Sequence, residues 1–346
     1  MNDSFAPGCP LPDYGDDARI SLAHGEGGRL SRELITKLIV PCLHGSEESA
    51  TLDDGTRLPA LTGQAVFTTD SFVVSPLEFP GGDIGTLAVF GSVNDLAVSG
   101  AVPRWISLSL ILEEGFPITG LVRVLESIAR SAVRADVRVV TGDTKVVPRG
   151  AADGLFINTA GIGELVLAMP GPSAICDGDE LLVSGTIARH GLAVLSAREQ
   201  LGFDPLPTSD CAPLIGVAAA LQEAGIPVRA MRDATRGGVA AVLHEWADAS
   251  EHTVQIDSDA IPLTPEARGA CELLGLDPLH IACEGTLVAA VPPGWSDKAL
   301  GALKTVPESC QAARIGTVTG RRIAAVVVET GFGQLVPLDE PAGAPL

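Results

Sequence analysis

Two hydrophobic patterns meet in one stretch of the chain, VFTTDSFVVSPLEFPGGDIGTLAVFGSVNDLAVSGAVP at residues 66–103. Its first part, Val66–Asp70, has the apolar pattern of a β-strand that ends in a carboxylate. A turn at Pro80-Gly81-Gly82 follows. Residues 83–99 then have the 3.6-residue period of a helix, for which Asp83 is the predicted N-cap. The pattern predicts a strand, a turn and a helix in direct succession.

Acidic side chains occupy positions of this stretch that the pattern predicts to be buried. One face of the helix is apolar apart from Asp95, and Asn94 lies beside it; that face comprises Ile84, Ala88, Gly91, Asp95 and Val98. A buried ionised carboxylate is costly unless a cation or hydrogen bonds compensate it, and Asp70 poses the same problem on the strand. Two acids and an amide suit Mg²⁺. The alternative is that Asp70 caps a loop and Asp95 is simply exposed.

The rest of the first half alternates helical and strand patterns. The predicted elements are a helix through Leu34–Ile39, strands Arg104–Leu112, Val137–Val147 and Gly154–Gly163, and a helix Ile118–Ala135. Strands that alternate with helices, followed by adjacent strands, predict an α/β or α+β domain with mixed strand pairing.

The second half begins after Pro170-Gly171-Pro172, where we expect a domain boundary. The predicted strands are 180–184, 228–231, 253–256, 287–291 and 323–328, and the predicted helices are 188–201, 209–224, 239–249 and 265–274. The predicted organisation is a flexible N-terminus 1–20, a first domain 21–170, a second α/β domain 171–330 and a C-terminal tail 331–346.

Composition narrows the classes of partner. The 346 residues carry a formal charge of −20, and no run of Lys or Arg exists to neutralise nucleic-acid or anionic-lipid phosphates. No stretch approaches the roughly 18 apolar residues of a membrane span, and the N-terminus lacks a charged-then-apolar leader. We therefore expect a cytoplasmic protein with no nucleic-acid or membrane partner. The seven scattered cysteines favour reduced, mostly buried thiols over a disulfide framework or zinc site.

Two further segments of the first half have residues typical of anion binding. Gly25, Gly27 and Gly28 lead into a helix, where backbone N–H groups can cradle an anion, although flexible glycines before helices are common. Thr141-Gly142-Asp143-Thr144-Lys145 interrupts a Val-rich strand. The Gly-Asp kink predicts close approach to a ligand, with a metal-capable carboxylate beside a phosphate-capable lysine. The alternative is a simple bulge with a solvated Asp and Lys.

The second half contributes two more candidates. Asp233-Ala234-Thr235-Arg236-Gly237-Gly238 opens a helix, and its glycines let N–H groups face an anion beside Arg236. An ordinary capped helix is the alternative. Glu284 precedes an apolar strand and is a candidate general base, although its position alone favours an acid that merely starts a strand.

Five ordered motifs together resemble one family. They are TTDSFVVSPLEFPGGDIGTLAVFGSVNDLAVSGAVP, ILEEGFP, VTGDTKVV, DGLFINTAGIG and DATRGG. The chain resembles the HypE family of hydrogenase maturation proteins, in the superfamily of aminoimidazole ribonucleotide synthetase, from about His24 to Val328. The resemblance implies a two-domain α/β (α+β) fold whose first mixed sheet pairs with that of a second subunit in a homodimer. It also implies ATP near that interface.

The resemblance also implies roles for the candidate residues. Asp70, Asn94, Asp95 and Asp143 would hold Mg²⁺ and nucleotide phosphates, with Asp70, Asp95 and Asp143 as the metal ligands. Lys145 would contact the reacting group, and Glu284 matches the family's candidate base. The remaining implied ATP-binding residues are Gly25, Gly27, Gly28, Thr141, Gly142, Asp233, Arg236, Gly237 and Gly238.

The reaction implied is ATP-dependent dehydration of a carbamoyl group on the cysteine of a C-terminal Pro-Arg-x-Cys tail. It yields a thiocyanate whose cyanide goes to the iron of a [NiFe] hydrogenase. The implied partners are the carbamoyltransferase HypF and the HypC–HypD iron scaffold. The sequence stops at Leu346 without that tail, and we expect truncation or processing rather than natural loss. The alternatives are a superfamily relative that acts on a small molecule with ATP, and a catalytically silent assembly protein.

Overall fold

The computed structural model describes residues 15, 17–44 and 53–343, so the predicted flexible segment 1–20 lies mostly outside the described residues. None of the helices in this range is both long and apolar enough to cross a bilayer. The chain divides into two compact units that interleave along the sequence. The first comprises residues 1–78, 82–96 and 103–164, and the second comprises residues 79–81, 97–102 and 165–346.

The first unit is built on a four-stranded mixed sheet. Its strands and short extended pairs are β1 (Ala65–Phe72), β2 (Glu78–Phe79), β3 (Gly82–Asp83), β4 (Ala101–Glu113), β5 (Arg138–Val147) and β6 (Leu155–Leu165). The order in the large sheet is β1-β6-β4-β5, so β1 and β5 form its two edges. β1 is antiparallel to β6, and β4 is parallel to β5.

Helices cover one face of this sheet. They are α1 (Arg29–Leu34), a π-helical turn Ile35–Ile39, α2 (Val40–His44), α3 (Ile84–Val98) and α4 (Ile118–Arg134). Along β4, Leu108, Leu110 and Leu112 are buried, whereas the alternate residues are more exposed. A strand places successive side chains on opposite faces, so this sheet has one covered face and one open face.

The helix α3 begins as predicted and is packed differently from the prediction. Asp83 is its cap, since its Oδ1 accepts the Thr86 N–H at 2.8 Å and the Ser127 hydroxyl at 2.7 Å. The sequence pattern pointed to one apolar face, and the structure buries nearly every residue of α3 around its whole circumference. A helix that is apolar all round is typical of such a central position.

The second unit contains a seven-stranded sheet in the order β13-β12-β9-β11-β7-β10-β8. Its elements are β7 (Glu180–Val183), α5 (Arg189–Glu199), α6 (Ile215–Glu223), β8 (Ala230–Asp233), α7 (Gly238–Ser250), β9 (Thr253–Asp257), α8 (Pro265–Leu274), β10 (Leu287–Val291), α9 (Ser296–Leu303), β11 (Ala313–Thr319), β12 (Val326–Glu329) and β13 (Leu335–Pro337). Leu181 and Val183 pack with α7 on one face, and Leu182 packs with α6 and α9 on the other. The sheet is therefore covered on both faces.

The structure differs from the sequence predictions in several elements. The helix predicted at 209–224 begins only at Ile215, after Pro213, which disfavours a helical conformation at the residue before it. The last strand begins at Val326 rather than at Ile323, whose side chain is fully exposed. α9 and β11 were not predicted. Residues 138–147 form one continuous strand, and its bulge lies at Val140 instead of at Gly142-Asp143.

The cysteines largely match the expectation of unpaired thiols. Cys176, Cys211, Cys271, Cys283 and Cys310 form no disulfide, and three of these five are buried. Cys42 differs from the prediction because it is disulfide-bonded.

Candidate functional site

Asp70 and Asp95 lie on the covered face of the first sheet, where β1 packs against α3. The Thr68 hydroxyl donates to Asp95 Oδ2 at 2.7 Å. Asp70 Oδ2 lies 3.9 Å from the position that a Cβ on Gly91 would take. Thr68 and Asp70 are two residues apart on the strand, and Gly91 and Asp95 are four apart on the helix, so each pair shares a face. The two carboxylates therefore belong to one polar cluster at the strand–helix boundary.

The glycine at position 91 permits this contact. An added Cβ would lie 2.6 Å from the ring of Phe72, well inside van der Waals distance. Asn94 is almost fully buried on the same helix. Carboxylate and amide oxygens at this boundary match the hard oxygen donors that Mg²⁺ prefers. Sequence reasoning missed Thr68, although its two-residue spacing from Asp70 was available as a signal.

Asp143 and Lys145 lie on the other face of the same sheet, at its opposite edge. β5 pairs in parallel with β4, placing Asp143 beside Ser109 and Lys145 beside Ile111. Both residues are exposed, and they belong to the alternate positions that point away from the buried Leu108 and Leu110. Asp143 and Lys145 are therefore on the open face.

The predicted trio of metal ligands is consequently not assembled within one chain. Asp70 is on edge strand β1 and Asp143 is on edge strand β5, with two strands between them and opposite faces presented. Nor does any group of three or more His, Cys, Asp or Glu side chains in the described part of the chain form a metal cluster. The structure brings Asp70 together with Asp95 and Asp143 together with Lys145.

The glycine-rich segment before α1 lies beside β5. A Cβ on Gly25 would meet the Val146 N at 2.5 Å, so this glycine is needed for backbone contact with the strand that carries Lys145. The segment is fixed further along, where the Gly27 N–H donates to Ser31 Oγ at 3.0 Å. Gly28 has open space around it. The glycine-rich segment thus packs against edge strand β5 at Val146, a position that alternates with Lys145 and belongs to the covered face.

The structure gives a packing reason for glycine at position 142 that the sequence prediction did not include. A Cβ there would collide with the Leu108 carbonyl oxygen of the neighbouring strand. The close approach that the sequence pattern indicated is therefore to β4 within this chain. Thr141 lies beside Ser107 on the open face.

In the second unit, the Asp233–Gly238 segment opens α7 without a side-chain cap. The N-cap is Gly237 in a left-handed conformation, so neither Asp233 nor Thr235 caps the helix. The Gly238 N–H donates a hydrogen bond to the Thr235 carbonyl at 2.9 Å. A Cβ on Gly238 would lie 2.5 Å from the Leu279 carbonyl oxygen. Close packing therefore explains this glycine, whereas Arg236 is exposed.

Backbone hydrogen bonds join the Asp233–Gly238 segment to the loop that carries Glu284. The Cys283 N–H donates to the Ala234 carbonyl at 2.9 Å, and the Ala234 N–H donates to the Thr286 carbonyl at 3.0 Å. Glu284 and Gly285 thus form the tip of a turn between two backbone hydrogen bonds. The structure brings together two candidates, Asp233–Gly238 and Glu284, that are separate in sequence.

Two buried groups near this loop stay uncharged at neutral pH. Burial raises the pKa of the Cys283 thiol well above its ordinary value, which makes it a poor nucleophile. Burial also lowers the pKa of His190 from 6.5 to about 4, although Asp210 opposes that shift. Neither group is suited to act as the base here, which leaves Glu284 as the carboxylate candidate of this loop.

The ILEEGFP motif has a structural role in the first unit. Glu113 accepts the N–H groups of Gly150 at 2.6 Å and Gly154 at 3.0 Å, and these bonds hold its pKa below the ordinary value. The Phe116 carbonyl accepts the Ile20 N–H at 2.9 Å, and the Ile20 carbonyl accepts the Gly115 N–H at 2.8 Å. The motif therefore ties the end of β4 to the segment before α1.

Comparison with known proteins agrees with this architecture. Family models for AIR synthase related proteins match both halves, the N-terminal domain over residues 53–165 and the C-terminal domain over residues 177–329. The chain is therefore an AIR synthase related protein with both domains, and the predicted α/β two-domain fold is confirmed.

The relatives narrow the class. Carbamoyl dehydratase HypE of Escherichia coli (strain K12) is 46% identical, over 94% of this chain and 98% of that protein. A crystal structure of HypE in complex with ATP aligns with a TM-score of 0.88 at 42% identity, covering 94% and 98% of the two chains. A HypE–HypF complex aligns at 0.78 with 43% identity, covering 82% and 92%. The chain belongs to the HypE family of carbamoyl dehydratases, as its motifs indicated.

Proposed function

We propose that this chain uses ATP to dehydrate a carbamoyl group carried as a thiocarbamate on a C-terminal cysteine. The product is a thiocyanate, whose cyanide is delivered to the iron of a [NiFe] hydrogenase. Membership of the HypE family supports the reaction. The observation that carries the proposal is the polar cluster of Thr68, Asp70 and Asp95, because it groups two carboxylates where β1 meets α3 in a family with an ATP-bound member.

The cluster fits Mg²⁺ with ATP. Asp70, Asn94 and Asp95 offer only oxygen donors and an amide, and Mg²⁺ usually takes few protein carboxylates and completes its shell with water and phosphate. When bound, the ion would neutralise phosphate charge. The two carboxylates would repel phosphate oxygens, so ATP binding without a divalent cation is expected to be weak.

Each candidate residue is assigned one step of the chemistry. The carbamoyl oxygen attacks the γ-phosphorus, ADP leaves, and the amide oxygen becomes part of a phosphate leaving group. Lys145 stabilises the charge of that transition state. Glu284 removes the N–H protons as the C–O bond breaks and phosphate leaves, giving the C≡N bond. The overall balance is thiocarbamate plus ATP to thiocyanate, ADP, phosphate and one proton.

A homodimer would complete the nucleotide site. The open face of the first sheet carries Phe67, which is 66% exposed, and Ile111, which is 37% exposed. A partner surface that covered this open face would remove these apolar side chains from water. Isologous pairing of two open faces would bury them and bring Asp143 and Lys145 of each subunit into the interface.

The partners follow from the same proposal. HypF would supply the carbamoyl group, which is supported by the family member solved with HypF. The HypC–HypD complex would receive the cyanide. Because ATP is the phosphoryl donor, the reaction is assigned to the cytoplasm.

The test uses the chain extended by a Pro-Arg-x-Cys tail and carbamoylated by HypF. Intact-mass spectrometry should show loss of one water from the loaded protein only when both ATP and Mg²⁺ are present. Asp95→Asn should prevent the loss, whereas Asp177→Asn, an exposed carboxylate of the second unit, should not. No loss from loaded protein, with turnover of a small molecule instead, would favour the superfamily alternative. Partner binding without any turnover would favour a silent assembly protein.

A further inference from the structure

One carboxylate holds three successive donors of the Glu284 loop. Asp210 Oδ1 accepts the Glu284 N–H at 3.1 Å. Its Oδ2 accepts the Gly285 N–H at 3.0 Å and the Thr286 hydroxyl at 3.2 Å. Hydrogen bonds to a carboxylate are stronger than bonds between neutral groups. The backbone of Glu284 is therefore fixed by a charge more than seventy residues away in sequence.

The contact between the two segments is also tight. A Cβ on Gly285 would collide with the Asp210 carbonyl oxygen and would lie 3.2 Å from the Ala212 N. The loop thus lies directly against the backbone of residues 210–212. Together with the Ala234 bonds on its other side, this contact leaves the turn at Glu284 little freedom.

The segment that carries Asp210 is itself anchored. The Ser209 N–H donates to the Pro80 carbonyl at 2.8 Å, and the Cys211 N–H donates to Ser209 Oγ at 3.1 Å. His190 Nδ1 lies 3.0 Å from the same Ser209 Oγ. The backbone on both sides of Asp210 is thus fixed by hydrogen bonds of its neighbours Ser209 and Cys211.

We propose that Asp210 is a positioning residue that orients Glu284 for proton abstraction. The inference rests on the proposed function, since it takes Glu284 as the base. Asp210 touches the backbone of the Glu284 loop and acts on the reaction through that residue. Positional errors of about 1 Å at a reacting group can cost on the order of a hundredfold in rate, so a support of this kind has a kinetic consequence.

Asp210→Asn is the test variant, because it keeps the shape and replaces one accepting oxygen with an NH₂ donor. Whichever way the amide turns, a donor then faces a donor. We expect kcat for dehydration of the carbamoylated chain to fall by about tenfold to a hundredfold, the range for a misplaced reacting group. The KM for ATP should change less than about twofold, and Asp177→Asn is the matched control.

A double-mutant cycle separates positioning from general damage to the fold. In the Glu284→Gln background, Asp210→Asn should lower the rate by less than about twofold, since its effect passes through Glu284. Equal losses in both backgrounds would overturn the positioning role. If Asp210→Asn does not fold, Thr286→Val removes one donor to the same carboxylate and should show a smaller loss with the same dependence on Glu284.

Hydrogen exchange gives a readout that does not depend on catalysis. The amides of Glu284 and Gly285 should exchange faster in Asp210→Asn than in the wild type, while β10 stays protected. Unchanged exchange at both amides would overturn the inference. Absence of dehydration in the wild-type protein would refute the proposed function, whereas wild-type dehydration that Asp210→Asn leaves intact would refute only the role of Asp210.

Discussion

Gly91 controls how closely β1 approaches α3, so Gly91→Ala should separate Asp70 from Asp95. The new Cβ would lie 2.6 and 2.7 Å from two ring atoms of Phe72 and 3.9 Å from Asp70 Oδ2. Ordinary carbon contacts are about 3.5–4.0 Å, so the strand or ring must move by roughly 1 Å. Phe72 is buried and cannot turn outward without losing its own packing.

The change in stability expected for Gly91→Ala is the sum of two opposing effects. Overpacking a filled core costs about 1–3 kcal/mol. Replacing a helical glycine with alanine contributes about 0.5–1 kcal/mol in the other direction. The expected net loss of stability in the first unit is about 1–2 kcal/mol. Gly120→Ala in α4 is the matched control, because its Cβ would find its nearest atom at an ordinary 3.4 Å and only the stabilising effect should appear.

Hydrogen exchange is the suitable assay, because it reports the stability of each unit separately. Amides of β1 and α3 should lose protection in Gly91→Ala and not in Gly120→Ala. Binding of ATP with Mg²⁺, followed by calorimetry, should weaken roughly tenfold in Gly91→Ala, which corresponds to about 1.4 kcal/mol. Adding Phe72→Leu should restore part of both quantities. Equal protection in the two alanine variants would refute the packing argument.

Three further outcomes are expected. Between pH 6.5 and about 4 the unfolded chain binds a proton at His190 that the folded chain does not. The free energy of unfolding should therefore fall as pH falls through this window, by about 3 kcal/mol at most. His190→Gln should flatten the pH dependence measured by urea titration, and an unchanged dependence would contradict this assignment to His190. Lys145→Ala should lower the dehydration rate by about a hundredfold or more while the Kd for ATP changes less than about threefold, and a loss confined to binding would contradict the catalytic role proposed for Lys145. Phe67→Asp should shift the protein toward monomer in light scattering, whereas Val133→Asp, an equally exposed apolar position on α4, should not.

Local patterns were sufficient for much of the fold. The Asp83 cap and the bounds of α8 and β10 follow from capping residues and short apolar runs, which act over a few residues. Packing explains what was missed. The burial of α3 on all sides depends on which elements surround it, and the delayed start of α6 depends on a single proline.

Some features of the candidate site could likewise be predicted from local sequence, and others depend on tertiary structure. Asp70 and Asp95 could be paired from sequence, because their strand and helix are consecutive. The separation of Asp143 from them depends on strand order, which places β1 and β5 at opposite edges. Asp210 carries no local signal, since its role comes from a contact with Glu284 across 74 positions of sequence. The motif around Gly238 suggested anion binding, whereas the structure explains this glycine by close packing against the Leu279 carbonyl oxygen.

The central claim of the proposal is that a homodimer completes the nucleotide site, with Asp95 from one subunit and Lys145 from its partner, because strand order keeps β1 and β5 apart within one chain. Co-expression of Asp95→Asn and Lys145→Ala chains, each with its own affinity tag, tests it directly in the dehydration assay. In a shared site, half of the randomly formed dimers are mixed, and each mixed dimer has one intact site of two, so about a quarter of wild-type activity should return. Activity no higher than that of the two single variants would contradict the account and place each complete site within one chain.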